Sequence, residues 1–392
     1  SFDIRKCDTL LSVAPFCGRV IKVGSGNPAD PCSIENLMKS TLHERDRVKA
    51  SGDLRMKFKI RKNKTTVRDN YFYENLNSPC MYPLEPNQHS FVNNFPVTRY
   101  WSTERRAIIN GLIVPKLPKW FSGFDWLLGF QHGWAIQTNN PRTVFCHPDC
   151  IGLLLKELKR VGRPDSKRAP ESFLVVGGED RRISTQRRKT IIGLRKYFNT
   201  IYYEAYDRLF QGVEVMPIGL TEFYLREHEK KFQEIFQRVN FDTPRKKLLL
   251  AAWGKWWPQL DKWISDRRMA LEFSKSCPFC TSGRFPPDEW FECLAEHHYM
   301  LCPEGNGVQS PKMFESILFG CIPICSKNAA SESLLEKGMP ILLVDDWYQI
   351  TEEFLLQHLD GLLCKVKRFR KESTSIEGYW RFSYGYPFQY NC

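Results

Sequence analysis

The sequence predicts an α/β protein of two lobes, each a parallel sheet covered by helices, preceded by an irregular basic extension. Three observations carry this. The chain has 392 residues, more than the roughly 250 to 300 at which a single hydrophobic core stops growing. From about residue 107 onward, short apolar runs alternate with segments of helical periodicity, the pattern of parallel strands joined by covering helices. A charged segment at 221–239 interrupts that alternation, and the strand pattern restarts at "KKLLLAAWG", which opens a second sheet.

The elements are taken in chain order. Residues 1–95 are basic and broken by Pro and Asn, as in "NLNSPCMYPLEPNQHSFVNNFP", and read as an extension packed on the first lobe. The first lobe is expected over 96–240. Its strands are sought in "AIINGLIV", "WAIQTNN", "TVFCH", "SFLVVGGED", "TIYYEAYD" and "VEVMPIGL", rich in β-branched and aromatic residues. Helices fall at "IGLLLKELKRV" and near "KTIIGLRKYF", and the charged segment "TEFYLREHEKKFQEIFQRV" is a further helix. The second lobe, 241–362, draws strands from "LLLAAWG", "HHYMLCPEG", "CIPIC" and "PILLVDDW", and helices from "SDRRMALEFSK" and "PKMFESILFG". Residues 363–392 read as a C-terminal tail.

The net charge of +13 favours anionic partners, among which nucleic acid, sugar nucleotides and acidic polysaccharides all qualify. The excess is concentrated in two runs: ten Lys/Arg within 45–68 and seven, with no acid, within 181–196. Solvated faces of a basic protein explain such runs equally well. No apolar run approaches the ~20 residues of a membrane-spanning helix. The chain opens on Ser1, and a signal or anchor is expected outside it. Fourteen cysteines are dispersed along it. Secretory disulfides and buried thiols both fit, and Cys321 and Cys325 fall in an apolar strand pattern where thiols serve as small hydrophobes. Cys277 and Cys280 together with Cys146, His147 and Cys150 supply zinc-ligand types, but nothing in their spacing brings the two groups together, and no metal site is expected. Asn63-Lys64-Thr65 is a glycosylation sequon, a pattern common by chance.

The stretch richest in chemistry is "HHYMLCPEGNGVQSPKMFESILFGCIPIC", residues 297–325. An apolar strand runs into a Gly-Asn-Gly loop; Ser310 is a helix N-cap type, Pro311 is preorganised for the first helical position, and Gly320 closes the helix. Met313, Phe314, Ile317 and Leu318 share one face at helical spacing, leaving Lys312, Glu315 and Ser316 on a polar one. A glycine-flexed loop feeding a helix N-terminus, with a lysine beside it, is a cradle for an anion such as a diphosphate. A tight strand-to-helix turn with a solvated Lys/Glu pair is the plainer alternative.

The segment "CPEGNGVQSPKMFESILFGCIPI" resembles the donor-site signature of exostosin-family glycosyltransferases, in which a Cys-Pro-x-Gly-x-Gly loop precedes a helix carrying a basic residue and a glutamate. "PILLVDDWYQITEEFL" and "VEVMPIGL" resemble neighbouring family segments, so the similarity covers roughly residues 140–360 and leaves the N-terminal part unmatched. The resemblance implies a GT-B type architecture of two Rossmann-like lobes, with a nucleotide-sugar on the C-terminal lobe and the acceptor on the N-terminal one. It also implies inversion at the anomeric centre without a bound metal, and the chain contains no Asp-x-Asp motif. By position, Gly305, Asn306 and Gly307 form the loop that approaches the diphosphate, Ser310 and Lys312 contact its oxygens, and Glu315 hydrogen-bonds the ribose. Where many relatives carry Asp-Thr-His-Arg after this loop, the chain has Gln309, Ser310, Pro311 and Lys312, so a lysine point charge replaces a guanidinium fork.

Further donor contacts are expected from Gly254 and Lys255 at the end of a strand, where open parallel sheets hold ligands, and from Arg267 and Arg268, which open a nearby helix, a strand-end turn and surface arginines being the plainer alternatives. Trp253, Trp256, Trp257 and Trp263 add aromatic faces that suit a sugar or a core. Inversion needs a base for the acceptor hydroxyl. Candidates are Asp180 and Glu179 after "FLVVGG", Asp149 and His147 around "FCHPDC", and His132, with Asp180 preferred. The expected activity is transfer from a UDP-linked sugar to a glycan or glycoprotein acceptor, with no cofactor beyond the donor, no metal and no nucleic-acid partner. The family setting implies the lumen of the Golgi or endoplasmic reticulum, a cytoplasmic location being the alternative. The rival expectation is a non-catalytic binder of acidic glycan or nucleic acid that uses the two basic runs.

Overall fold

The computed structural model describes residues 10–11, 21–22, 91–99, 120–121, 124–129, 133–136, 141–161, 172–221, 228–241, 245–252 and 265–383. The basic run at 45–68, the strand expected at "AIINGLIV", His132, Gly254, Lys255 and the tryptophans at 253, 256, 257 and 263 lie outside these residues. Short pairings join Leu10–Leu11 to Ile21–Lys22 and Val97–Arg99 to Leu220–Thr221.

The first sheet has six strands: β1 (Trp126–Gly129), β2 (Gly133–Ile136), β3 (Thr143–Cys146), β4 (Phe173–Val176), β5 (Thr200–Tyr203) and β6 (Val213–Val215). Their order is β2-β1-β3-β4-β5-β6, parallel throughout except for the antiparallel edge strand β2. Strand β4, Phe-Leu-Val-Val, is buried at every position, as a parallel sheet covered on both faces requires. Helix α1 (Ile151–Val161) comes after β3 and packs on α2 (Arg188–Leu194). Helix α3 (Glu229–Arg238) leads toward the second lobe.

The second sheet is built from β7 (Lys247–Ala252), β8 (Cys280–Gly283), β9 (His297–Leu301), β10 (Ile322–Ser326) and β11 (Leu342–Val344), all parallel, in the order β8-β7-β9-β10-β11. Its helices are α4 (Ser265–Ser276), α5 (Pro287–Glu296), α6 (Pro311–Leu318), α7 (Ala329–Glu336), α8 (Glu352–Ser373) and α9 (Ile376–Ser383). From β7 the chain first lays β8 on one side and then β9 on the other. The direction of winding therefore reverses between β7 and β9, and a crevice opens beyond their carboxyl ends, where doubly wound sheets bind ligands.

Two expectations about organisation are corrected. The boundary placed after residue 362 falls inside α8, and the chain beyond α8 forms a helix packed on the first lobe, not a tail. Trp380 of α9 stacks on Trp120, with centroids 5.4 Å apart and planes within 5° of parallel, and the Tyr379 hydroxyl donates to the Pro217 carbonyl. The chain returns to its first lobe after finishing its second. Helices α5 and α7 and strands β1 and β8 also lie where the sequence had indicated nothing. Cys146 and Cys150 belong to the first lobe, and Cys277 and Cys280 to an edge of the second, all four as free thiols; the described residues contain no metal-ligand group that joins them.

Candidate functional site

The site grows from the segment between β9 and α6. The Gly305 N–H donates to the Gly307 carbonyl across 3.1 Å, closing a tight turn with Asn306 exposed at its tip. A Cβ on residue 305 would meet a terminal nitrogen of Arg267 at 2.9 Å, so the guanidinium lies directly against the loop backbone and a side chain there would displace it. The loop is pinned on three sides. The Glu304 N–H donates to Asp266 at 2.7 Å, and the Glu304 carboxylate accepts from Asn328 at 2.9 Å and from Arg182 of the first lobe at 3.0 Å. Gln309 is buried between the lobes: its amide donates to the carbonyls of Glu204 (2.6 Å) and Met216 (2.8 Å) and accepts from the Ile218 N–H (2.9 Å). Ser310 has the extended backbone of an N-cap and Pro311 opens the helix, but the Ser310 side chain makes no capping hydrogen bond.

Helix α6 departs from the predicted two-faced pattern. Every residue from Met313 to Leu318 is buried, Glu315 and Ser316 included, and Glu315 is 0% exposed. The Trp290 indole N–H of α5 donates to the Glu315 carboxylate at 2.9 Å, and the Lys312 ammonium sits 3.6 Å from the centroid of the same indole. Burial pushes the Lys312 pKa down, against the opposing pull of the Glu315 charge. The carboxylate expected at the ribose is thus buried under the Trp290 indole, with half-buried Lys312 on the same ring. The reason is that the Trp290 indole of α5 reaches over Lys312 and Glu315, while the Ser316 hydroxyl donates to the Lys312 carbonyl at 2.6 Å.

Of the two arginines expected near the donor on α4, Arg267 turns inward against the glycine loop. Arg268 is exposed and faces Glu272 one turn on, at 3.7 Å. Burial lowers the pKa of Arg267, opposed by the charges of Asp180 across the crevice and of Asp266, and its buried Nε has no hydrogen-bond partner. The preceding Asp266 fixes the crevice floor by accepting from the Glu304 N–H, the Ser326 hydroxyl (3.0 Å) and the Trp347 indole (2.7 Å). Helical spacing held the clue, since Arg267 shares a face with the buried Ala270 and Ser274.

The first lobe contributes the carboxyl ends of β3 and β4. His147 Nε2 lies 3.2 Å from Glu179, and His147 Nδ1 accepts from the Asp149 N–H at 3.3 Å. That acceptor role puts the imidazole proton on Nε2, toward Glu179. Asp149 is paired with Arg181, while Asp180 lies within electrostatic reach of Arg267. The ligand atoms of His147, Asp149 and Glu179 converge within 4.8 Å, the one such group among the described residues. In this arrangement the His147 Nε2 proton faces Glu179 and Asp149 is paired with Arg181. Asp266, Trp290 and the cross-lobe role of Gln309 are the parts of the site that sequence reasoning did not assign.

No family model and no curated protein matches the sequence. Among solved structures, HepE (Alr3699) of Anabaena in complex with UDP-glucose aligns with a TM-score of 0.37 at 7% identity, over 63% of this chain and 78% of that one. An α1,3-fucosyltransferase aligns with a TM-score of 0.27 at 12% identity, over 80% and 87%. Likenesses this distant say nothing of activity.

Proposed function

We propose that the protein is a GT-B type glycosyltransferase, exostosin-like, which binds a nucleoside-diphosphate sugar, UDP-linked, in the crevice between β7 and β9. The observation that supports this best is Arg267: a desolvated guanidinium with an unpartnered Nε, held against Gly305 at the point where the sheet winding reverses. A buried cation with an unused donor costs free energy unless an anion completes it. In this reading Arg267 and the N–H groups of the glycine loop hold the diphosphate, and Lys312 adds positive potential from beneath. The assignment of Glu315 to the ribose is withdrawn.

The reaction proposed is a single inverting displacement. Asp180, facing the crevice from the first lobe, takes the proton of the acceptor hydroxyl; the oxygen attacks the anomeric carbon; and the bond to the diphosphate breaks as the leaving charge falls onto Arg267. Glu179 and Asp149 are alternatives already engaged by His147 and Arg181. No metal is needed in this scheme, because a guanidinium and a helix N-terminus neutralise the leaving group. A glycan or glycoprotein acceptor and a Golgi or endoplasmic-reticulum lumenal setting come from the family resemblance alone. Calorimetric titration with UDP tests the reading: saturable binding lost in Arg267→Ala supports it, and absence of nucleotide binding by the wild-type chain overturns it.

A further inference from the structure

The basic run at 181–196 divides in two. Arg181 and Arg182 are consumed by Asp149 and Glu304. Arg188 and Arg195 instead line a pocket of about 480 Å³ on the flank of the first lobe, together with Ile192, Arg208, Leu209, Phe210 and Gln211, a size typical of ligand sites, which run from roughly 300 to 1,000 Å³. No residue of the crevice lines it.

Three arginines converge on this pocket, and no carboxylate lines it. None of the three makes an ion pair or a side-chain hydrogen bond with another described residue. The nearest acid in sequence, Asp207, turns its carboxylate to the Ser184 N–H at 2.9 Å. The walls are built. Tyr206 ties the segment that carries Arg208 and Leu209, its hydroxyl accepting from the Phe210 N–H and donating to the Val213 carbonyl, both at 3.2 Å. Gly212, at φ +73°, gives the Arg195 guanidinium room to lie against the backbone, a position any side chain there would occupy. Leu209, 77% exposed, and Ile192, 44% exposed, add aliphatic surface at the rim.

We infer that this pocket docks an acidic glycan, through carboxylate or sulfate groups, at a distance from the transfer crevice. Guanidinium forks match planar carboxylates and sulfate oxygens, aliphatic side chains suit the C–H faces of sugar rings, and Gln211 offers an amide to hydroxyls. A single-stranded nucleic acid would call for a row of aromatic stacking platforms, and the lining has one ring, Phe210. The choice of a glycan also rests on the transferase reading, in which the pocket holds an extended part of the acceptor.

The test titrates the full chain with a hexagalacturonate, a heparin hexasaccharide, neutral cellohexaose and hexauridylate, and in parallel with UDP. At least one acidic hexasaccharide is expected to bind saturably and cellohexaose not at all. Arg188→Gln with Arg208→Gln, both at exposed positions, should weaken that binding roughly tenfold or more, and Arg195→Gln alone should do so in part. The control is Lys159→Gln with Lys189→Gln, which removes the same charge from exposed positions outside the pocket and should change affinity less than about twofold. Equal weakening in the control, or no binding of either acidic hexasaccharide, overturns the proposal. So does hexauridylate binding as tightly and lost in the same arginine variant, which reassigns the pocket to nucleic acid. Acidic-glycan binding that behaves as expected in a chain that ignores UDP supports the pocket while removing the transferase reading.

Discussion

Lys312, Trp290 and Glu315 show how far one hidden neighbour changes the meaning of a residue. With solvent on its polar face, Glu315 would be dispensable for folding; beneath α5 it is the acceptor for an indole N–H and the counter-charge of a desolvated lysine. Glu315→Gln is therefore expected to cost about 2 kcal/mol or more of stability, read from urea unfolding, with little change in UDP affinity beyond what unfolding explains. Arg267→Ala should do the reverse, leaving the urea midpoint nearly unchanged while weakening UDP binding by roughly 1.5–3 kcal/mol. His297 supplies a pH signature. Its Nδ1–H donates to the Cys293 carbonyl at 2.6 Å, its Nε2 is buried without a partner, and burial, partly offset by that carbonyl, pushes its pKa down to about 4. A histidine held neutral in the fold but free to protonate when unfolded stabilises fully above its ordinary pKa of ~6.5, and that stability is lost as pH falls from there toward 4. Urea midpoints measured across pH 7 to 4 should fall, by an amount worth up to about 3 kcal/mol, and the slope should flatten in His297→Gln.

At the scale of elements, the strands of both sheets were legible where they are buried on both faces, because an uninterrupted apolar run such as Phe173–Val176 has few other fates. Strand β8, Cys-Thr-Ser-Gly, was not: it is an edge strand whose residues are partly or fully exposed, so no apolar signal marks it. Helix α5 was not sought because its opening Pro286-Pro287 suits a loop as well as a helix start, and Pro287 opens the helix from its first turn. That omission propagated into the site, since it left α6 with an apparent solvent face. The punctuation of α6 was readable. Gly320 sits at φ +74°, as a left-handed helix stop requires, and a Cβ there would strike the Arg245 guanidinium and lie 3.0 Å from the Phe241 ring. Gly320→Ala should cost about 1–3 kcal/mol in urea unfolding, more than the few tenths typical of exposed sites.

For the whole molecule, the crevice depends on contacts made across the lobes. Gln309 bonds to both strand ends and loop of the first lobe, Arg182 reaches Glu304, and Lys337 of the second lobe pairs with Glu214 of the first at 2.7 Å. None of this was readable in sequence, because each pair joins residues whose local patterns are complete without the other. The same holds for the return of α9. Half-buried Trp380 packs against Trp120, Phe124 and Phe173, with ring centroids 5.4, 5.6 and 5.4 Å away, so the last described helix lies against the first lobe's core. Truncating that half-buried ring removes both its buried area and its ring contacts, a loss of about 2 kcal/mol, below the figure for a fully buried aromatic. Trp380→Ala should thus lower the thermal midpoint markedly, yet at temperatures where the variant is folded its UDP affinity should stay within about twofold of wild type, because Arg267 and the glycine loop belong to the second lobe. Calorimetric unfolding set beside UDP titration of the same variant separates the two effects. A stable variant would show that α9 is an attachment the first lobe can lose. A destabilised one that has also lost UDP at low temperature would show that the lobes form the crevice only as a single packed body.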